Sequence, residues 1–484
     1  MNVLQRLYKA LFFDTVEKSL GVVIPDNSVM FSHMDLWLKH MMGRAPYLFD
    51  QNKTRKAAMR SMSLPSVVTR EFAKLCLLEY ETLVLGGSSR ATWLQEQHDK
   101  LLLPMLKQVL QWALGLGNVV LKPRFKDGRL FLGYVIYPNF IPVKWDDERL
   151  TGVVFKTELT RGKKIYTLFE HMDFADGILS VNYASFARES DVATDDVGVP
   201  IPLTDIPEWS DLTNYEIVTS RPWFVHWRTP ALNNVDPNSP LGVSVMTNSE
   251  DTIRNADEGF SALRWEIQAG RVRTMLPRTM FTRAEDGKII IPDPEDRYYM
   301  AYEGGPMGEG RPEQFAPALR VQELTEAVKF NLRVLESQLS FSEGTLSLTD
   351  VRRGMVTATQ VTADKKDTFE ALTYLNDNMV KPGIAEILNV FSEIADVLGV
   401  PMSGGGAFEI STEMNTQASV DPAVRFNQAM ELYQMRLIPA RLPIQYSQLQ
   451  VTEDEAAKLY AEARAEMKAD LSQAVEDDAG AGVY

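Results

Sequence analysis

From Val321 to Gly399 the chain reads as a helix, an aperiodic stretch of small residues, and a second, longer helix. In the first piece Val321, Leu324, Val328, Leu332, Leu335 and Leu339 recur three or four apart. That spacing is one face of an α-helix. The next piece, from Ser340 to Val356, has no period, two glycines and several hydroxyl residues. Helical spacing then returns and runs to Gly399, interrupted at Lys381-Pro382-Gly383. Proline removes one N–H and clashes with the preceding turn, at about 3 kcal/mol in a straight helix. The spacing therefore predicts a bend between Asn378 and Gly383. A loop held between two strong helices is a place where function concentrates.

The N-terminal third is helical in pattern, and Gly115, Gly117 and Asn118 end its last helix with αL-tolerant residues. The period then changes to two. Strands are expected at Val119–Phe125, Arg129–Val135, Gly152–Leu159, Lys164–Glu170 and Ile178–Phe186. Asp127-Gly128, Arg161-Gly162 and Asp176-Gly177 supply turns, as in an antiparallel meander. Arg188 to Asp211, acidic and proline-bearing, reads as an exposed loop or insertion. Arg221–Arg228 is a further strand with Trp223 and Trp227 on one side. Ser249 caps a helix whose buried stripe is Ile253, Phe260, Leu263 and Ile267, ended by Gly270. Short strands follow at Met275–Phe281, Lys288–Ile291 and Tyr298–Tyr302, before a glycine-rich loop. Beyond Gly399 come a Gly404-Gly405-Gly406 link, a strand over Ala407–Met414 and helix from Asp421 to Lys468. Pro439 and Pro443 mark a turn there, and Thr452 with Glu455 forms a capping box.

Chemistry-bearing motifs are scarce. The 484 residues carry one cysteine, Cys76, so an intrachain disulfide and a cysteine metal site are excluded. Cys76 reads as a small buried hydrophobe. None of the five histidines sits at metal-ligand spacing. Walker A, dinucleotide and nucleophile-elbow patterns are absent. Asp364 and Asp367 read as a solvated helix face. No catalytic, cofactor-binding or metal-binding residue is assigned, and no enzyme activity or cofactor is expected. A net charge of −15 argues against a protein that grips nucleic acid over its surface, and is compatible with one that lets it slide past. Basic residues cluster at Arg271, Arg273, Arg278 and Arg283. Arg271 and Arg273 fall on the same side of a strand, as DNA or partner contacts would. Arg352 and Arg353 suit a phosphate or a carboxylate equally. Asp14, Glu17 and Lys18 break any signal sequence, and no apolar run reaches membrane-spanning length, so synthesis in a reducing cytoplasm is expected.

The order of these pieces resembles the portal proteins of tailed bacteriophages. The run Pro240-Leu241-Gly242-Val243-Ser244, a helix, then the basic strand Gly270-Arg271-Val272-Arg273 carries part of the likeness. Thr357-Ala358-Thr359-Gln360-Val361, opening the long helix, carries the rest, with Gln360 where the family usually has Glu. The resemblance covers roughly Pro237 to Lys468, and the N-terminal half by order of elements only. It implies an α+β portal fold with a mainly helical stem and crown, a mixed wing and a small β clip. The implied parts are an N-terminal wing (1–248), first stem helix (249–270), clip (271–320), second stem helix (321–339), tunnel loop (340–356), kinked wing helix (357–399) and crown (400–484). It further implies a twelve-fold ring at one capsid vertex, through which double-stranded DNA is packaged and ejected. Implied partners are the terminase motor, a head-completion or adaptor protein, and the major capsid and scaffold proteins, with no membrane. The protein would sit in the virion, and in host cytoplasm during assembly. Ser342, Thr345, Ser347, Thr349, Arg352 and Arg353 become the candidate channel residues, and Arg271, Arg273 and Arg278 the clip contacts. The competing readings are another head–tail connector, a minor capsid protein, or a carboxylate–metal nuclease.

Overall fold

The computed structural model describes residues 3–48, 59–78, 80–147, 149–190, 197–270, 317–346, 366–414 and 422–435. Short pieces at 273–277, 282–283, 289–290, 299–302, 313–315 and 458–461 complete it. The fold is α+β. Helices α1 (Val3–Leu20), α2 (Ser28–Met41) and α3 (Leu64–Cys76) precede strand β1 (Tyr80–Leu85), and α4 (Ser89–Gln97) and α5 (Leu103–Leu116) follow it. Next come β2 (Asn118–Lys126), β3 (Arg129–Val135), β4 (Phe140–Asp146), β5 (Arg149–Arg161), β6 (Lys164–Ala175) and β7 (Ile178–Glu189). Shorter strands β8 (Val199–Ile201), β9 (Tyr215–Val218) and β10 (Val225–Arg228) complete this region.

The strands form two antiparallel sheets rather than one meander. One has the order β10-β2-β3, the other β4-β5-β6-β7-β8, with β9 also on β7. Asp127 and Gly128 have φ of 52° and 73°, and Asp176 and Gly177 have 51° and 77°. Positive φ at both central residues matches the twist of a two-residue hairpin, and Asp-Gly tolerates it. The third turn lies one residue later than expected. Arg161 pairs with Lys164 in the ladder, so Gly162 and Lys163 make the turn. The acidic segment also departs from expectation. Outside residues 191–196, Ile206 and Trp209 are buried against Leu168 in a small second core, so this stretch is packed onto the sheet. The larger core joins α2, α3, α5, both sheets and the later helices. Cys76 is buried there, and its thiol is pushed up to about 12 by desolvation.

Helix α6 (Glu250–Ala269) and helix α7 (Val321–Gln338) bracket a small β region. Within it β11 (Arg273–Pro277) precedes β12 (Thr282–Arg283), β13 (Ile289–Ile290), β14 (Tyr299–Tyr302) and β15 (Glu313–Phe315). β11 lies between β14 (parallel) and β15 (antiparallel), and β12 pairs with β13. Helices α8 (Lys366–Leu375) and α9 (Lys381–Leu398), strand β16 (Glu409–Met414) and α10 (Pro422–Gln434) close the order. The short piece at 458–461 is helical, as expected there. The expected proline turn at Pro439 and Pro443 and the capping box at Thr452 lie outside the described residues.

Between α8 and α9 the chain makes a π-turn, Asn376–Val380, in which the Lys381 N–H reaches back to the Asn376 carbonyl. The same device, His98–Leu102, stands before Pro104, with the Leu103 N–H on the His98 carbonyl. Each π-turn contains the residue four before the proline, Asn378 or Lys100. A proline there has no N–H to give and crowds that carbonyl, so the ladder widens by one residue. The helix is thus modified at the expected place without being broken.

Strand β1 is absent from the sequence-based expectation. It pairs with β16 along its full length, Tyr80 opposite Met414 and Leu85 opposite Glu409. Beside it the buried Arg90 guanidinium donates to the Ser392 carbonyl at 2.7 Å and the Gly404 carbonyl at 2.9 Å, and also pairs with Asp396. Gly86 approaches the Ala407 carbonyl so closely that a Cβ would lie 2.7 Å from it.

Candidate functional site

The two helices flanking the β region run antiparallel against each other. Gly259 of α6 permits the contact, since a Cβ there would lie 3.0 Å from Cγ2 of Val328. At the far end Arg320 embraces Glu266. Its main-chain N–H, Nε and Nη2 donate to the carboxylate at 3.1, 3.3 and 3.0 Å. These bonds hold the Glu266 carboxyl below its ordinary pKa. Val328, Leu332, Leu335 and Leu339 are buried, as their spacing predicts. On α6 only Ile253 of the expected stripe is buried, and Ile267 is 47% exposed. Trp265, beside Glu266 at that end, is 62% exposed, and Phe330, on the outward side of α7 further along the pair, is 63% exposed.

The other end of the pair is embedded. Asp257 is fully buried and accepts from the Tyr47 hydroxyl at 3.0 Å and the Met62 N–H at 2.6 Å. Trp37 Nε1 donates to Glu250 at 2.8 Å. Burial and the Asp257 charge push the Tyr47 hydroxyl well above its usual pKa. Burial lowers His40, partly opposed by Glu250 and Asp257. The pair is therefore braced through Glu250 and Asp257 at one end, while Trp265 and Ile267 stand exposed towards the other.

Helix α7 leads into the loop root, 340–346. Glu336, 1% exposed, accepts from the main-chain N–H of Gly344 at 3.2 Å and of Leu346 at 2.5 Å. Gly344 has φ of 91°, a conformation that favours glycine. Ser342 receives α8: the Thr368 hydroxyl lies 2.7 Å from its N–H and 2.9 Å from its Oγ. Phe341 packs on Phe72 of α3 with ring centroids 4.2 Å apart.

Two candidate channel residues thus fall in this root. Ser342 is buried on Thr368, which corrects the expectation of a side chain free to meet DNA. Thr345 turns its hydroxyl onto the Ser342 carbonyl at 2.7 Å. Ser347, Thr349, Arg352, Arg353, Arg271 and Arg278 lie outside the described residues, as do Asp364 and the Thr357–Val361 motif. Arg273 opens β11. Sequence reasoning misses Glu336, although a sign is present. It lies four residues after Leu332 and three before Leu339, a charge on an apolar stripe.

Among the described residues no group of three or more His, Cys, Asp and Glu side chains could hold a metal ion, and no helix is long and apolar enough to cross a membrane. No protein-family model and no curated protein matches the sequence. Solved structures are similar to it at low identity, two of them as follows. The first is the neck of an empty GTA (gene transfer agent) particle computed with C6 symmetry, with a TM-score of 0.39 and 8% identity, over 83% of this chain and 89% of that one. The second is the neck of a native GTA particle computed with C12 symmetry, with a TM-score of 0.36 and 10% identity, over 90% of this chain and 99% of that one.

Proposed function

We propose that this chain is the ring-forming subunit of a phage-type head–tail connector, of the portal kind, through which double-stranded DNA enters and leaves a capsid. One observation carries the reading. Two amphipathic helices, braced at one end, hold a small β region at the other and lead into a loop fastened to a long, proline-modified helix. This matches the order of parts that the sequence resemblance implies. The exposed Trp265, Ile267 and Phe330 suit contacts between copies. The net charge of −15 per chain, repeated around a ring, would keep phosphates from adhering within the roughly 8 Å reach of charge at physiological salt.

Electron microscopy and mass photometry of the purified full-length protein test the proposal. The expected result is a closed ring with a central pore wide enough for a DNA duplex. A discrete monomer at micromolar concentration, and in particles, would sink it. In assembled particles, Arg352→Ala with Arg353→Ala should leave the ring intact and change packaged genome length or retention. Normal packaging, retention and ejection would remove those arginines from the channel reading.

A further inference from the structure

Two strand pairs each set like charges directly across from one another, with opposite sign. On the β2–β3 hairpin Lys126 stands opposite Arg129, and Arg124 opposite Phe131. Residues facing each other across an antiparallel ladder share one side of it, so these four lie together. The other side, with Leu121, Pro123 and Leu130, is buried. Arg124, Lys126 and Arg129 are exposed, and Phe131 is 48% exposed. Farther along the same side Lys122 is buried and already pairs with Glu170. The three exposed cations have no ion-pair partner among the described residues. Asp127, the hairpin's one acid, sits at positive φ in the turn, beyond the ladder.

On the β1–β16 pair the sign is reversed. Glu81 stands opposite Glu413, Leu83 opposite Ser411 and Leu85 opposite Glu409. Tyr80 and Thr82 turn to the other side, where the Tyr80 hydroxyl meets His98. On the outer side the three glutamates are exposed, and Leu83 and Leu85 are 45% and 46% exposed. Neither strand contains a lysine or an arginine, and these glutamates have no ion-pair partner among the described residues. The two faces also match in spacing. Phe131 follows Arg129 by two residues, and Leu83 follows Glu81 by two, a step of about 7 Å along a strand.

Like charges directly opposite weaken a ladder, and an approaching group of the other sign relieves them. Within one chain no ion pair joins the two faces among the described residues. A polyanion such as nucleic acid would answer the hairpin alone and leave Glu81 beside Glu413. A second copy answers both.

We infer that the outer face of the β2–β3 hairpin of one copy docks on the outer face of β1–β16 of the next, Lys126 and Arg129 meeting Glu81 and Glu413, and Phe131 meeting Leu83. The contact joins two different faces, so it is head-to-tail and repeats from copy to copy until the rotation closes. It rests on the ring reading above and names a surface by which the copies recognise each other.

Mass photometry of the full-length protein and its variants, each checked for an unchanged melting temperature, tests the contact. Lys126→Glu with Arg129→Glu sets four carboxylates together and should cut the assembled fraction by about tenfold or more. Glu81→Lys with Glu413→Lys, which sets four cations together, should do the same. All four changes in one chain reverse both faces at once and should restore assembly to near the wild-type level. Lys126→Gln with Arg129→Gln, which adds no repulsion, should weaken assembly by a smaller factor. Wild-type rings, with either charge-reversed pair assembling normally, would overturn this contact and leave the ring reading standing. A chain carrying all four changes that folds and stays apart would do so too. A wild-type chain that remains monomeric would overturn both. Normal assembly of the hairpin variant, together with lost binding of a single-stranded oligonucleotide, would give the hairpin to nucleic acid instead.

Discussion

His226 on β10 donates from Nε2 to Oδ1 of Asn118 at 2.9 Å. The Asn118 amide is oriented by its Nδ2, which donates to the Gly242 and Leu116 carbonyls, and by the Gly242 N–H, which donates to Oδ1. Burial, with Arg228 adding to it, pushes the imidazole down to about 3. In the unfolded chain a histidine takes its proton near pH 6.5. Between these values the unfolded state binds more protons, so stability rises with pH and is lost as pH falls from 6.5. His171, buried beside Asp173 and Lys144, and His40 are also lowered by burial and act with the same sign. Each uncompensated proton changes stability by about 1.4 kcal/mol per pH unit. We expect the thermal midpoint to fall between pH 7.5 and pH 5, and His226→Gln, which keeps a donor for Asn118, to reduce the fall. A midpoint independent of pH in both proteins would contradict the assignment. The sequence marked Asn118 as a helix-ending residue. Gly117, with φ of 78°, takes that conformation, and Asn118 instead fastens two distant segments. Such long-range amide bonds leave no periodic signal.

Among the elements, α7 was legible because its apolar residues repeat with the helical period and are buried in that order. The joint after it was not. Glu336 is joined to the loop by main-chain N–H groups, which any sequence supplies, and Ser342 meets Thr368 across 26 residues. Glu336→Ala would leave two inward N–H groups without their acceptor, at about 1–3 kcal/mol each at most. We expect faster amide exchange over 341–346 and a lower unfolding midpoint, with α6 unaffected. Unchanged exchange in the loop root would show that Phe341 and Ser342 suffice to hold it. The prolines were legible as interruptions, but a widened turn rather than a break is chosen by packing. Trp227 against Gly383 needs the helix to continue past Pro382.

For the molecule as a whole, the α+β class and most of the central strands follow from period and turn residues. The division into two sheets does not, because alternation fixes which side of a strand is buried without naming its neighbour. The exposed side chains of the α6–α7 pair have a consequence at this scale. Trp265→Glu with Phe330→Glu should leave the folded chain intact, since exposed changes cost under about 0.5 kcal/mol. It should reduce ring formation, read by mass photometry beside circular dichroism. Rings assembling normally from this variant would place the contacts between copies elsewhere.

The pairing of β1 with β16 also carries a consequence in time. Thr82 and Thr412, facing each other at 3.1 Å, are 330 residues apart in the chain. At roughly 5–20 residues per second of synthesis, β1 waits about 15–65 s for its partner. Through that interval Leu83 and Leu85, half exposed even in the finished fold, belong to a strand with neither edge paired. A ribosome that stalls before residue 409 would release a chain with this edge still open, available to a neighbouring nascent chain or to a chaperone.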